Sequence, residues 1–182
     1  MDYKKYFFLY ADSISKLLKK VDTNLINASV NLIANTQKNK SKIYVIGNGG
    51  SSSIASHVSV DFAKVAKVNC STFNNANLIT CFANDYGYDN WVVEAIKAYS
   101  SKKDLFIFIS SSGTSKNIVN AAQYCKENNI NLITLSGFKK NNPLSQSGNV
   151  NFHVVSENYN FIEMIHHIIL LSLVDIFAKK IF

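Results

Sequence analysis

Two groups of ionisable side chains in this sequence have the spacing of a catalytic or metal-binding site. His57 and Asp61 are four residues apart, so their side chains share one face if this stretch is helical. A histidine and a carboxylate in that arrangement can hold a divalent metal ion, or one can act as a base beside the other. A surface or core pair without a chemical role has the same spacing, so the pattern alone leaves both interpretations open.

The second group lies near the carboxyl terminus. Glu163 precedes His166 by three residues and His167 by four, within a stretch that is otherwise apolar. Polar groups on an apolar helix are costly to bury unless they are paired. The group is therefore a functional cluster, a plain interface salt bridge, or a core histidine whose hydrogen bonds are satisfied.

Two turns rich in glycine and serine indicate a phosphate-binding site. Residues 47–51 (Gly-Asn-Gly-Gly-Ser) follow the apolar run 43–46, and residues 110–115 (Ser-Ser-Ser-Gly-Thr-Ser) follow the apolar run 104–109. Each turn precedes a helical pattern, and the start of a helix directs free N–H groups at an anion. Because ligands bind beyond the carboxyl ends of parallel strands, we expect both turns to face one phosphate group. Two unrelated turns are the alternative.

The elements that must position these residues alternate between strand and helix. We expect strands over 43–46, 69–73, 104–109, 131–136 and 150–155. We expect helices over 3–19, 22–37, 51–67, 88–100, 115–128 and 159–180, with Asp22 or Thr23 and Ser51 as N-caps, and a short helical turn over 77–82.

This alternation predicts an α/β fold, a three-layer sandwich with a five-stranded parallel sheet. At this length we expect one domain that covers residues 1–182. An N-terminal helical hairpin in residues 1–40 precedes the α/β sandwich of residues 41–182. The apolar residues of the hairpin need a partner outside the sheet.

The charge balance limits the partners. The chain has 19 basic and 12 acidic residues, a net charge of +7, and no arginine. Arginine is the residue that reads bases and phosphates through paired hydrogen bonds, so we expect no nucleic-acid partner. Scattered lysines are a solvated surface that also attracts acidic sugar phosphates.

Three cysteines without metal-ligand spacing predict reduced, buried thiols in a cytoplasmic protein. They are Cys70, Cys81 and Cys125. We expect no membrane span, because polar residues interrupt the long apolar stretch near the carboxyl terminus. The interrupting residues are Glu163, His166, His167 and Asp175.

The turns over 47–51 and 110–115, together with Ala-Asn-Asp-Tyr-Gly over 83–87, resemble the sugar isomerase (SIS) domain family, and within it the phosphoheptose isomerases. The resemblance covers nearly the whole chain. It implies a flavodoxin-like fold and a homo-oligomer, a tetramer, in which the N-terminal helices pack between subunits. It also implies a sugar phosphate as ligand, a heptose 7-phosphate.

The resemblance assigns roles to individual residues. Asp61 and His167 are the expected catalytic residues, and Asp61 stands where the family has a glutamate that is one methylene longer. A zinc ion is expected at His57, Asp61, Glu163 and His167. The expected substrate-binding residues are Asn48, Gly49, Gly50, Ser51, Asp61, Asn84, Asp85, Ser110, Ser111, Ser112, Ser115 and Glu163.

The last helix departs from the family pattern, which is a glutamine followed eight residues later by a histidine that acts as ligand and general acid. Aligning the glutamine with Glu163 places that histidine at Leu171, and aligning it with Ile162 places it at Leu170. Leucine neither transfers a proton nor binds zinc. Either His166 or His167 takes its place, or the chain lacks the family's second catalytic group.

The function implied by the resemblance is isomerisation of sedoheptulose 7-phosphate to D-glycero-D-manno-heptose 7-phosphate, an aldose–ketose conversion for surface-polysaccharide heptose synthesis. A base takes the C2 proton to form an enediolate, and an acid–base group moves protons between the oxygens. One alternative is a sugar-phosphate-binding regulatory protein of the type that associates with the replication initiator. Another is an isomerase that acts on a different sugar phosphate.

Overall fold

The core of the fold is a five-stranded parallel sheet in the order β2-β1-β3-β4-β5, shown by a computed structural model that describes residues 1–180. The strands are β1 (Ile43–Gly47), β2 (Cys70–Ser71), β3 (Leu105–Ser110), β4 (Asn131–Ser136) and β5 (Val150–His153). All four neighbouring pairs are parallel. This flavodoxin-like order places the ligand crevice between β1 and β3. The predicted α/β class and five-stranded sheet are confirmed.

Seven helices surround the sheet within the described residues. They are α1 (Tyr3–Leu18), α2 (Thr23–Lys38), α3 (Gly49–Lys64), α4 (Ala76–Tyr86), α5 (Trp91–Tyr99), α6 (Lys116–Glu127) and α7 (Tyr159–Phe177). A 3₁₀ turn spans Leu144–Gln146 between β4 and β5. Asp22 caps α2 as predicted, with its carboxylate accepting from the N–H of Asn24.

The sheet separates two apolar layers, because successive strand residues point to opposite faces. Ile43 and Val45 of β1 face the layer that contains α3 and α7. Tyr44 and Ile46 face the layer that contains α5 and α6. Because both faces of the sheet are covered, the strand sequences are continuous apolar runs rather than alternating polar and apolar residues.

The start of α3 differs from the prediction. Ser51 was the expected N-cap, but α3 begins at Gly49 after Asn48, and Ser51 is buried in the first turn. The N–H groups of a first turn have no intrahelical partner, so glycines are tolerated there. The expected cap is wrong, and the free N–H groups begin three residues earlier than predicted.

Helix α4 replaces the short turn that was expected over 77–82. It has 11 residues and begins after Asn75, whose side chain caps it by accepting from the N–H groups of Asn77 and Leu78. The edge strands are also shorter than expected. Strand β2 has two residues, and β5 ends at His153.

The N-terminal hairpin lies outside the sheet. No residue of α1 is buried, and the helix contacts α7 through Tyr10 and Phe161, whose ring centroids are 4.8 Å apart. Its exposed side includes Phe7 and Phe8, which are 65% and 61% accessible. That these helices lie in an oligomer interface stays a prediction.

By length and composition, α7 could cross a bilayer, despite the polar residues expected to interrupt it. The absence of a membrane span stays a prediction. One such helix is weak evidence, because a core helix passes the same test. Seven of its residues are buried against the sheet and its neighbours: Ile162, Ile165, His166, Ile169, Leu170, Leu173 and Val174.

The three cysteines form no disulfide. Cys125 is buried as predicted and Cys70 is partly buried, and burial raises the pKa of each thiol to about 12. Cys81 is exposed, because α4 buries none of its residues. The prediction of a buried thiol is therefore wrong at Cys81.

His166 is fully buried where α7 meets the carboxyl end of β4. Its Nε2 lies 3.2 Å from the carbonyl oxygen of Ser136, which accepts, so Nε2 carries the proton in this contact. Burial lowers the pKa of His166 from 6.5 to about 4. The histidine is therefore neutral in the folded protein and becomes charged in the unfolded chain below pH 6.5.

The pKa of His166 predicts a loss of stability on acidification. The folded-state value lies below the unfolded value, so the stabilisation is complete above pH 6.5 and declines as the pH falls towards 4. Between pH 7 and pH 5 we expect this group to lower the free energy of unfolding by about 2 kcal/mol. Urea unfolding of wild type and His166→Gln at both pH values measures it, and an equal pH dependence in the two proteins would contradict it.

Candidate active site

The glycine turn after β1 is fixed by a pair of asparagine amides. Asn48 Nδ2 donates to Asn117 Oδ1 (2.8 Å), and Asn117 Nδ2 donates to Asn48 Oδ1 (3.0 Å). Asn117 is buried at the start of α6, so this double hydrogen bond joins the starts of α3 and α6. The Asn48 side chain, expected to bind substrate, is thus engaged within the protein.

The serine turn after β3 contains five hydroxyl groups. Ser110 Oγ bonds Ser115 Oγ (3.2 Å), and Thr114 Oγ1 donates to Ser112 Oγ (3.0 Å). Ser111 Oγ is buried and has no hydrogen-bond partner in the described part of the chain. A buried hydroxyl without a partner is costly, so this atom is placed to bind a ligand.

Asn142 supports the serine turn from below. Its Nδ2 donates to Ser136 Oγ (3.1 Å), and its Oδ1 accepts from the N–H of Ser145 (2.9 Å). Gly113 has φ of +67°, and a Cβ there would overlap the Asn142 amide. Only glycine meets both constraints.

The two turns line one cavity of about 270 Å³ at the carboxyl edge of β1 and β3. Its lining residues are Asn48, Gly49, Gly50, Ser51, Ile109, Ser110, Ser111, Ser112, Ser115, Tyr159 and Glu163. Nine of them were expected from the sequence to bind substrate. No lysine of the described chain lines the cavity, so hydroxyls, free N–H groups and the starts of α3 and α6 are what it offers to an anion.

Glu163 enters this cavity from α7 and lies against Gly50. A Cβ added at Gly50 would lie 2.5 to 2.7 Å from three atoms of the Glu163 carboxyl group. Glycine at position 50 therefore provides the space for the carboxylate. Glu163 is the one carboxylate among the lining residues.

A second cluster lies further along the contact between α3 and α7. Asp61 Oδ2 is 3.3 Å from His57 Nε2, and His57 Nδ1 is 3.0 Å from His167 Nε2. Burial, and then the nearby His57, lowers the pKa of His167, while Asp61 opposes the shift. None of these three residues lines the cavity, but His167 is one helical turn from Glu163.

The four expected zinc ligands do not converge in this arrangement. His57 turns one ring nitrogen to Asp61 and the other to His167, and two nitrogens of one ring do not bind a single ion. Glu163 lies apart, at the glycine turn. Within residues 1–180, no group of three or more His, Cys, Asp or Glu side chains is arranged to hold a metal ion.

His166 and His167, the two candidates to replace the family's late histidine, lie in different surroundings. His166 is buried against Ser136, and His167 faces His57. Leu171 packs on the apolar core and lines a depression with Ile168, away from the cavity. Of the two histidines, His167 is the one that lies beside the α3 pair.

Asn84 and Asp85 are not brought to the cavity. They are exposed in the last turn of α4, where Asn84 Nδ2 donates to Asp85 Oδ1 (2.9 Å). The segment that follows passes near the glycine turn, because Tyr88 Oη donates to Asn48 Oδ1 (3.4 Å).

Sequence reasoning missed three residues that shape the site. Tyr159 lines the cavity from the first turn of α7, while Asn117 and Asn142 hold the two turns. No motif or spacing in the sequence indicates a role in the site for Tyr159 or Asn142. Asn117 lies two residues after the serine turn, and its role depends on contact with Asn48.

The fold and the cavity together define a parallel α/β protein with an anion-binding site at the carboxyl edge of its sheet. The model of the family described as SIS domain matches residues 9–137. The chain belongs to this family, and its curated relatives below place it with the phosphoheptose isomerases.

A relative from Campylobacter jejuni, phosphoheptose isomerase 2, is 38% identical over 143 residues, which cover 70% of this chain and 69% of the relative. Phosphoheptose isomerase from Helicobacter pylori is 31% identical over 140 residues, covering 74% and 72%. The solved structure of phosphoheptose isomerase from Neisseria gonorrhoeae has the same fold, with a TM-score of 0.87, 20% identity and 98% of each chain covered.

The unpartnered hydroxyl of Ser111 yields a prediction. Ser111→Ala removes no hydrogen bond within the protein, so the free energy of unfolding should stay within about 0.5 kcal/mol of wild type. Affinity for inorganic phosphate should fall by about 10-fold or more, because a hydrogen bond to a charged group is lost. Calorimetry of both proteins measures this.

The matched control is Ser100→Ala, which removes a hydroxyl that donates to Ile96 O, away from the cavity. It should leave phosphate affinity unchanged. Equal phosphate affinity in Ser111→Ala and wild type would show that the cavity is not the phosphate site.

Proposed function

We propose that this protein isomerises sedoheptulose 7-phosphate to D-glycero-D-manno-heptose 7-phosphate. The observation that carries the proposal is the cavity in which the glycine and serine turns meet, with Ser111 Oγ free of any partner in the described chain. The relatives named above support an aldose–ketose isomerase. They do not favour the alternative of a binding protein without turnover.

The phosphate group is held without cationic side chains. The hydroxyls of Ser110, Ser111, Ser112 and Ser115 and the free N–H groups at the start of α3 surround the cavity. The dipoles of α3 and α6 add positive potential at the same place. The sugar chain then extends from the cavity along α7, towards His167.

His167 moves protons between the two oxygens of the substrate. Its lowered pKa leaves a neutral imidazole that can both accept and donate a proton. Asp61, the expected base, is paired with His57. We propose that Asp61 acts through the two imidazoles by orienting His57 against His167.

The proposal also covers the oligomeric state, the compartment, the pathway and a metal ion. The exposed aromatic side of α1 supports a homo-oligomer, a tetramer, and free cysteines are typical of the cytoplasm. The pathway proposed is heptose synthesis for surface polysaccharide, in lipopolysaccharide or capsule. A zinc ion is kept in the proposal on the family resemblance alone, because the four expected ligands do not converge within residues 1–180, and the steps proposed for His167 and Asp61 do not depend on it.

Purified protein should convert sedoheptulose 7-phosphate to the aldose, followed by NMR of the sugar phosphates, with and without added Zn²⁺. Metal content measured on the same sample tests the zinc proposal separately. Absence of heptose phosphate product under both conditions would overturn the proposed function. Turnover of another ketose phosphate instead would identify an isomerase with a different substrate.

Light scattering should give the mass of four copies of the 20.3 kDa chain. Phe8→Lys places a charge on the exposed side of α1 and should produce smaller species, because burying a lysine at an interface is costly. Val155→Lys, at an exposed apolar residue after β5, is the matched control. A monomeric wild type would contradict the oligomer.

A further inference from the structure

We infer that Asn117 is a positioning residue for the bound phosphate, because it withholds the side chain of Asn48 from the start of α3. This role goes beyond joining the two turns, since it keeps the N–H groups of the first turn of α3 free for a ligand. It rests on the phosphate site of the proposed function and on no step of the isomerisation.

Asn48 occupies the N-cap position of α3, where asparagine is one of the preferred residues. The side-chain oxygen of such a residue normally accepts from the N–H of the second or third helical residue, which here are Gly50 and Ser51. In the described chain, the Asn48 side chain makes no such hydrogen bond. The first turn of α3 is therefore left without a side-chain cap.

Other helices of this chain are capped in the usual way. The side chains of Asp2, Asp22, Asn75 and Asn158 cap α1, α2, α4 and α7, and two of these residues are asparagines like Asn48. Within residues 1–180, the helices without a side-chain cap are α3, α5 and α6. Of these three, α3 and α6 are the helices whose starts meet at the cavity.

Asn117 is the residue that engages the Asn48 amide. Its Nδ2 donates at 3.0 Å to Asn48 Oδ1, the atom that would otherwise cap α3. In return, Asn48 Nδ2 donates to Asn117 Oδ1 at 2.8 Å, which fixes the rotation of the Asn48 amide. Tyr88 Oη also lies 3.4 Å from Asn48 Oδ1, but this distance is long for a hydroxyl donor and Tyr88 is exposed. Asn117 is only 2% accessible, so the closer partner is also the buried one.

The uncapped start of α3 lies at a site that shows a second sign of a ligand. Ser111 Oγ is buried and without a partner in the described chain, and Ser111 lines the same cavity as Gly50 and Ser51. Gly49 has φ of +53°, and a left-handed residue beside helical ones allows successive N–H groups to converge on an anion. A cap from Asn48 would take one of these N–H groups away from the phosphate.

The test compares two variants that break the same pair of hydrogen bonds. Asn117→Ala frees Asn48 Oδ1 to cap α3, so affinity for inorganic phosphate, measured by calorimetry, should fall by about 10-fold or more. Asn48→Ala removes the capping group itself and should bind phosphate about fivefold or more tightly than Asn117→Ala. The double variant, Asn48→Ala with Asn117→Ala, should likewise bind phosphate more tightly than Asn117→Ala alone.

The matched control is Asn128→Ala, because Asn128 lies at the other end of α6 and its Nδ2 donates to the carbonyl oxygen of Tyr124 at 2.9 Å. This variant should bind phosphate like wild type. Thermal unfolding establishes that each variant is folded. Asn117→Leu also removes the amide but fills more of the buried space than alanine, so it should show the same loss of affinity even if Asn117→Ala does not fold.

Turnover provides an independent measurement. The phosphate group does not react, so it is bound alike in the ground state and in the transition state. Asn117→Ala should therefore raise KM for the sugar phosphate by about 10-fold, while kcat changes by no more than about threefold.

The outcomes separate the inference from the proposed function. A purely structural role for Asn117 predicts equal losses of phosphate affinity in Asn117→Ala, Asn48→Ala and the double variant, and that result would overturn the inference alone. Wild-type affinity in Asn117→Ala would do the same. If wild type binds no phosphate, the inference and the phosphate site fall together. If wild type binds phosphate but does not isomerise the sugar, the proposed function falls and the inference stands.

Discussion

The contact between α3 and α7 is the constraint on which the site depends. At one level Glu163 lies against Gly50, and further along the same contact His167 meets His57. Both helices pack on the same face of the sheet, so their facing side chains are set by the sheet beneath them. A larger residue at position 50 would move the carboxylate, which ties the chemistry of α7 to a glycine of the β1 turn.

The cavity has no cationic side chain in its lining, although the chain as a whole is strongly basic. Its net charge of +7 comes from lysines, and none of them lines the cavity. An anion is met by hydroxyls and helix starts, whose dipoles are fixed before the ligand arrives.

The last helix has a leucine where the family pattern has a histidine, and the structure shows where each of these side chains lies in this chain. Leu171 is part of the apolar packing, and the nearest histidine to the α3 pair is His167, one turn earlier on the same helix. A shift of four residues keeps a side chain on nearly the same face of a helix, so the imidazole still points at α3. The histidine of this chain lies about one helical turn earlier on α7 than the family pattern places it.

The sequence by itself determined the order of strands and helices, the parallel sheet and the two turns, because apolar periodicity and turn residues act locally. It did not determine the start of α4, which the side chain of Asn75 caps, or the start of α3 at Gly49. Only the tertiary structure decided that Glu163 shares the cavity with the serines, and that Asp61, Asn84 and Asp85 stay outside its lining. His57 and His167 are 110 residues apart, and their meeting depends on how two helices pack on one sheet face, which no local pattern records.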